Sequence, residues 1–408
     1  MRKINPKEFT MAKRGTAREI NRQIALTLIR THQPVSRADV ARLMETNRAN
    51  VTFLVNELLA EGLVREGATS NEFRRGRKAT FLYLNSRQRC AVAVDVRATR
   101  TYLLLTDMIG RQVEDIISFP TELNPARFIE DLCRRIRKVL QESSEIAACD
   151  GIGVVVPGMI DRSSSRILRA PTLGWRNVDL WQPLQNEFPD IPVHLENSGR
   201  ACALSQVWNT RGEHFLNNDL VFVSVSDGVG VGVVVKGEVL RGKNNTAGEF
   251  AHTPLNIDGP PCSCGATGCW EAYISNLATL SRYFGKNLLE RKPISAEMAS
   301  FTVEDLITRA RGGDGKAITA VHSTARYLGL GLATIVNALD PSRIYIGGEI
   351  TEAWDLIEPT VQAALQERAL TKEGAAALIR VVPALEHPRL RGAAALVTAP
   401  AFAAPMVA

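Results

Sequence analysis

Apolar residues near the start of the chain recur with a helical period. Between residues 17 and 31, Ile20, Ile24 and Leu28 fall four apart, and Leu26 and Ile29 widen the stripe. That spacing puts them on one face of an amphipathic helix. Pro34 ends the connection, and Ser36 is placed to cap a short helix from Arg37 to Met44 by accepting from its free backbone N–H groups. Thr46 is the expected cap of a third helix that runs to about Glu61, with Val51, Leu54, Val55, Leu58 and Leu59 on its buried face. Gly62 stops it. Residues 63–84 alternate extended and turn-like pieces and end in the apolar strand Ala79–Leu84, the pattern of a β-hairpin wing. Two short helices across a tight turn, followed by a wing, predict a winged helix-turn-helix.

From Cys90 the pattern changes to α/β. Strands are expected at 91–96 and 101–106, a helix at 125–142 and a buried strand at 151–156 that turns at Gly158. Another strand, 191–195, delivers Glu196, Asn197 and Ser198 to its C-terminal end before a helix from Ala201 to Val207. A second set follows. Leu220–Val225 leads into a glycine-rich turn from Asp227 to Gly232 and a strand at 233–235; a long helix at 316–339 precedes a strand ending in Gly347 and Gly348. Glycine turns of this kind let backbone N–H groups approach a phosphate, although glycines also make plain hairpin turns. Two such α/β lobes predict an actin-like architecture, with ligands in the crevice at the strand ends.

Charge divides the chain at the same place. The net charge is +6, but residues 1–89 hold 18 Lys and Arg against 8 Asp and Glu, and the rest is mildly acidic. A basic head on such a body fits nucleic-acid binding. Asn47, Arg48, Asn50 and Thr52 lie on the exposed face where the third helix begins, the end that enters a major groove. Arg74, Arg75, Arg77 and Lys78 surround a glycine at the wing tip, suited to phosphates or a narrow minor groove. As a charge run alone they would also fit a solvated linker. No apolar run of about 18 residues occurs, so no membrane insertion is expected. The N-terminus lacks a signal-peptide core, and four of the seven cysteines are scattered singly, which fits a reducing cytoplasm.

The remaining three cysteines carry the sharpest chemistry. Cys262, Cys264 and Cys269 follow His252 by ten residues or more, and three thiols with one imidazole are the ligand set of a closed structural Zn²⁺ site. Gly265 and Gly268 let the loop fold back on itself. Buried or disulfide-bonded cysteines are the plainer reading, but two cysteines one residue apart rarely bond each other without strain. Glu249 and Glu271 stand within three residues of these ligands, so a metal here would also fix a polar pocket.

Taken together, the head with its basic wing, Val156-Pro-Gly158, Ala170-Pro-Thr-Leu-Gly-Trp175, Glu196-Asn197, Gly248-Glu-Phe-Ala-His252, the Cys262–Glu271 block and Gly347-Gly348 resemble the ROK family of repressors, open reading frames and kinases. The resemblance spans nearly the whole chain, and the added head is similar to the family's transcriptional-repressor branch. It implies a two-lobed, actin-like (ribonuclease H-like) body behind the winged helix-turn-helix. The head would occupy residues 1–88, the first lobe 89–198 and the second lobe 199–408, with the final helix able to return to the first lobe. It also implies a structural Zn²⁺ on His252, Cys262, Cys264 and Cys269. Gly158, Asn197, Glu249, His252 and Glu271 would line a sugar site.

The family's kinases place a general-base aspartate after that asparagine, where this chain has Ser198. Their first phosphate loop reads Asp-x-Gly-x-Thr. Here it is Asp95-Val-Arg97-Ala-Thr99, and the Arg97 side chain would crowd a phosphate. Ala251 also replaces the glycine usual before the histidine. The departures at Ser198 and Arg97 imply a sugar-responsive repressor with no catalytic residues and no ATP cofactor. It would bind operator DNA and a sugar or sugar derivative as a homodimer or homotetramer. Two alternatives stay open: an ATP-dependent sugar kinase carrying a DNA-binding head, and a DNA-binding protein whose body serves only assembly.

Overall fold

The head is built on a core shared by three helices. In the computed structural model, which describes residues 14–69, 80–143, 148–161, 163–209, 219–290, 295, 298 and 300–402, the helix Arg14–His32 buries Leu26 and Ile29 with Val51, Val55 and Leu58 of the helix Arg48–Ala60. Between them, strand β1 (Val35–Ser36) leads into the helix Arg37–Leu43. Ser36 caps it in a reciprocal box with Asp39. The third helix departs from expectation at its start. Asn47 is its cap, accepting from the Asn50 amide at 2.9 Å, while Thr46 stands one residue upstream and accepts from Asn50 Nδ2. Asparagine outranks threonine as a cap, and the turn closes one residue later. Strands β2 (Val64–Thr69) and β3 (Thr80–Leu84) pair antiparallel as the base of the wing, with β1 on the far edge of β3. The wing-tip cations Arg74, Arg75, Arg77 and Lys78 lie outside the described residues.

Each lobe of the body is a five-stranded mixed sheet. The first comprises β4 (Arg89–Val96), β5 (Arg100–Asp107), β6 (Ile117–Pro120), β7 (Ala148–Val156) and, after a small sheet of β8 (Met159–Ile160), β9 (Ile167–Ala170) and β10 (Trp175–Val178), the strand β11 (Val193–Asn197). Its order is β11-β7-β4-β5-β6, parallel through β4 and antiparallel beyond. The second comprises β12 (Leu220–Val225), β13 (Val229–Val235), β14 (Glu238–Val239), β15 (Arg343–Gly347) and β16 (Leu378–Val382), in the order β14-β13-β12-β15-β16. Gly230 and Gly232, expected in a turn, belong to strand β13. They are glycines because Gly199 presses on them backbone to backbone, and a Cβ at either would meet it.

Strand alternation assigns the two faces of each sheet. Val92, Val94 and Val96 of β4 pack with Phe128, Leu132 and Ile136 of the helix Pro125–Glu142, while Ala93 turns toward Leu390, Ala393 and Ala394. In the second lobe Val221 and Val223 share the core of the helix Gly315–Leu339, and Leu220 and Phe222 face Cys202 and Ala203. Two helices therefore lie between the sheets: Ser198–Asn209 against the second and Pro388–Thr398 against the first. The former begins three residues before its expected start, because Asn197 caps it. Small residues let these layers meet, and a Cβ at Gly153 would overlap the Ala393 carbonyl. Among the described residues, no helix is long and apolar enough to cross a membrane.

Candidate functional site

The strand ends of both lobes open on one cavity of about 240 Å³, near the small end of ligand pockets, which start at roughly 300 Å³. Gly158, Asn197, Glu249, His252 and Glu271 all line it, so the five residues singled out in the sequence converge. Gly158 sits at φ +130°, and a Cβ there would overlap the Arg169 carbonyl. Its own carbonyl accepts from Asn197 Nδ2 at 2.7 Å. The Asn197 oxygen caps the next helix by accepting from the Gly199 and Arg200 amides. One Nδ2 hydrogen is left for a ligand.

The cysteine loop forms one wall. Gly265 and Gly268 hold positive φ, and the Cys262 and Gly265 amides close a knuckle on the Ala266 and Cys262 carbonyls. Ligand atoms of His252, Cys262, Cys264 and Cys269 lie within 4.8 Å of one another. Cys264 and Cys269 Sγ are 3.7 Å apart, and Cys262 Sγ is 3.6 Å from His252 Nδ1. Tetrahedral zinc, with Zn–S of about 2.3 Å and Zn–N of about 2.0 Å, requires edges of roughly 3.8 and 3.5 Å. A disulfide needs sulfurs about 2.05 Å apart. The donor set and its spacing fit the metal. Burial pushes the Cys262 and Cys269 thiols up, so without a cation they stay protonated. Trp270 anchors the loop to the scaffold: it is buried against Gly331, and its indole N–H reaches the Tyr327 carbonyl at 2.9 Å.

Two carboxylates stand beside this wall in different states. Glu271 is engaged, accepting from the Val229 amide at 2.9 Å, the Ser263 hydroxyl at 2.6 Å and the Cys262 thiol. Glu249 is half-buried, and its carboxylate makes no hydrogen bond among the described residues. Burial lifts its pKa, His252 and Arg200 draw it back down, and Glu271 pushes it up. Thr172 Oγ1, also on the wall, is buried without a partner. An acceptor, an amide, a hydroxyl and the free ring nitrogen of His252 thus face one small polar space.

Sequence reasoning missed the residue that ties this wall to the other lobe. Arg169, on β9, donates to the carbonyls of Cys264 at 2.6 Å and Ser263 at 2.9 Å. It directly precedes the Ala170-Pro171 motif, but its partners lie some 95 residues away, beyond any local signal. At the opposite end of the cavity, Arg97 Nε donates to the fully buried Asp95 at 2.7 Å, and its guanidinium lies 4.7 Å from the Tyr102 ring centre. Glu349 faces this pair, accepting from Ser226 and Asn276. Ser198 also lines the cavity. On the head, Asn47, Arg48, Asn50 and Thr52 are exposed; the Asn47 oxygen is taken by capping, and the Thr52 hydroxyl donates to the Arg48 carbonyl.

The fold is thus a two-lobed α/β body with a polar interlobe cavity, a Cys₃His cluster on its wall and a helix-turn-helix head. The chain belongs to the ROK family, whose model matches residues 91–399. It is 28% identical over 365 residues to the xylose repressor of Bacillus spizizenii, covering 88% of this chain and 89% of that one. It is also 28% identical over 302 residues to a glucokinase of Halalkalibacterium halodurans, covering 71% and 89%. A solved ROK transcriptional regulator, a homologue of the E. coli MLC protein, superposes with a TM-score of 0.77 at 22% identity, covering 95% of this chain and 98% of that one.

Proposed function

We propose that this protein is a sugar-responsive DNA-binding transcriptional repressor of carbohydrate uptake or catabolism genes, and that it is not a kinase. The observation that carries the reading is the asymmetry of the cavity. Its zinc-side wall keeps a set of donors and acceptors suited to sugar hydroxyls. Its other end is filled by the Arg97–Asp95 pair and faced by Glu349, where a nucleotide's phosphates would meet a carboxylate. Ser198, with an ordinary alcohol's basicity, has no means of taking the proton from an attacking sugar hydroxyl.

In this reading His252, Cys262, Cys264 and Cys269 hold one structural Zn²⁺, which leaves no coordination position open and therefore takes no part in chemistry. His252 gives the metal Nδ1 and keeps Nε2 for the sugar. The head docks the start of its third helix on operator DNA in the cytoplasm, as part of a homodimer or homotetramer, and the wing-tip cations meet the phosphates. Sugar acts by favouring one lobe arrangement over another, since a ligand with equal affinity for both shifts nothing. The relatives, one a repressor and one a kinase, support both this reading and its rival.

The deciding experiment pairs two assays on the purified chain. Thermal shift against D-xylose, D-glucose and N-acetylglucosamine, with their phosphates, is expected to find one sugar that raises the melting temperature. A coupled assay with Mg-ATP and the same panel is expected to show no turnover. Sugar-dependent ATP consumption establishes the kinase instead.

A further inference from the structure

Two helices begin or end at the cavity and reach the head. The helix Ser198–Asn209 starts with Ser198 in the cavity wall, and ten residues later, about 15 Å along its axis, presents Trp208 to the head. The helix Pro388–Thr398 has Arg389, also in that wall, in its first turn, and the chain leaving it passes through Phe402. The head grips both. Arg30 of its first helix lies over the Trp208 ring at 3.5 Å and near the Phe402 ring at 4.9 Å, and donates to the Trp208 carbonyl at 3.3 Å. Thr27 donates to the Phe402 carbonyl at 3.1 Å. The Trp208 and Phe402 rings stand 5.4 Å apart, and Phe402 and Met108 of the body are buried within the head's own apolar core.

The first of these helices is also wedged between the lobes. Its opening turn touches the second lobe through Gly199 against Gly230 and Gly232, where no side chain fits. Its flank lies against the first lobe's helix at Gly392, whose Cβ would overlap the Ala201 carbonyl. Contacts this close transmit displacement and do not absorb it. Beside the grip, a cleft of about 800 Å³ separates head from body, lined by Thr31 and Tyr83 on one side and Arg111 and Arg391 on the other. It gives the head room to turn about the joint.

We propose that the helix Ser198–Asn209 carries occupancy of the cavity to the head, and that the clamp of Arg30 on Trp208 and Phe402 is the joint that delivers it. This rests on the reading of the cavity as a sugar site and of the head as a DNA reader. A ligand that changes the lobe angle shifts the wedge at its Ser198 end. The clamp turns that shift into a new head orientation, which sets whether two heads of an assembly fit one operator.

The test uses the full chain, DNA selected by the wild-type protein from a random library, and whichever of D-xylose, D-glucose or N-acetylglucosamine binds by calorimetry. Wild type is expected to change DNA affinity at least about tenfold on saturation with that sugar, within the usual span of allosteric coupling. Trp208→Ala and Arg30→Ala should retain sugar affinity within about twofold while their coupling falls below about twofold; Trp208→Phe should keep it. Wild-type coupling in Trp208→Ala overturns the joint. So does a wild-type chain that binds sugar and DNA independently. A chain that binds none of the three sugars refutes the reading of the cavity instead, a distinguishable failure. Hydrogen exchange on the wild-type chain guards against a variant that fails to fold. Sugar should alter exchange at residues 206–209 and 27–32, and unchanged exchange there with sugar bound also overturns the proposal.

Discussion

At the scale of single residues, the site is decided by which polar groups are already spent. Glu271 has engaged one oxygen with the Val229 amide and the other with the Ser263 hydroxyl, so it braces the cavity wall. Glu249 has not, and burial keeps its pKa above the ordinary value. An ionised carboxylate accepts from sugar hydroxyls, and a raised pKa means this form disappears at a higher pH than for an exposed glutamate. Sugar affinity is therefore expected to weaken as pH falls from about 8 to about 5, and Glu249→Gln to flatten that profile. Calorimetry across the range, with metal content measured at each pH, checks this; an unchanged slope in the variant excludes Glu249. The cysteines give a second expectation. Cys264→Ser should lose bound zinc, measured by plasma mass spectrometry, and melt several degrees lower, as loss of about 2 kcal/mol would produce in a domain of this size. Full zinc content in that variant would remove Cys264 from the ligand set.

Among the elements, the central helix pair depends on glycine more than on apolar area. Gly392 lets the helix Pro388–Thr398 approach the Ala201 carbonyl, so Gly392→Ala forces the helices apart. The expected cost is about 1–3 kcal/mol, typical of overpacking. Gly315 is the control. It opens the helix Gly315–Leu339 after the Asp314 cap, with nothing within 4 Å of a Cβ. Gly315→Ala should be neutral or stabilise by up to about 1 kcal/mol, since it only restricts the unfolded chain. Chemical denaturation of both variants tests the contrast; equal effects would show that backbone entropy, not helix contact, sets the cost. The head's third helix offers a smaller lesson. Asn47 serves as cap and as an exposed residue on the helix face proposed to meet DNA, so its substitution perturbs folding and recognition together.

For the molecule as a whole, the lobes are joined across the cavity by side chains as well as by the helix pair. Arg169 reaches from the first lobe to two carbonyls of the cysteine loop in the second. These charge-assisted bonds hold the two walls of the cavity together in this arrangement. Arg169→Ala should weaken sugar binding by about tenfold without removing zinc, and raise the radius of gyration of the sugar-bound chain in solution scattering. Unaltered sugar affinity would make Arg169 a structural bond only. The buried Asp95 and its half-buried partner Arg97 belong to this scale too. Their ion pair joins β4 to the loop beyond it at the place where the lobes face each other.

Much of this protein was legible from residue order. Helical and strand periods marked the head and both lobes, because an element must bury one face whatever it packs against. Ligand spacing and glycine turns, which are short-range properties, announced the Cys₃His cluster, and the resemblance to the ROK family supplied the five cavity residues. What order left open was every relation set by long-range packing. The function of Gly230 and Gly232 as landing points for a helix, and of Arg169 as a cross-lobe tie, depends on neighbours brought close only by the fold. So does the grip of Arg30 on Trp208 and Phe402, 178 residues and more along the chain. Periodicity records that a face is buried; only tertiary structure decides what buries it, because that partner is chosen by the packing of the whole chain.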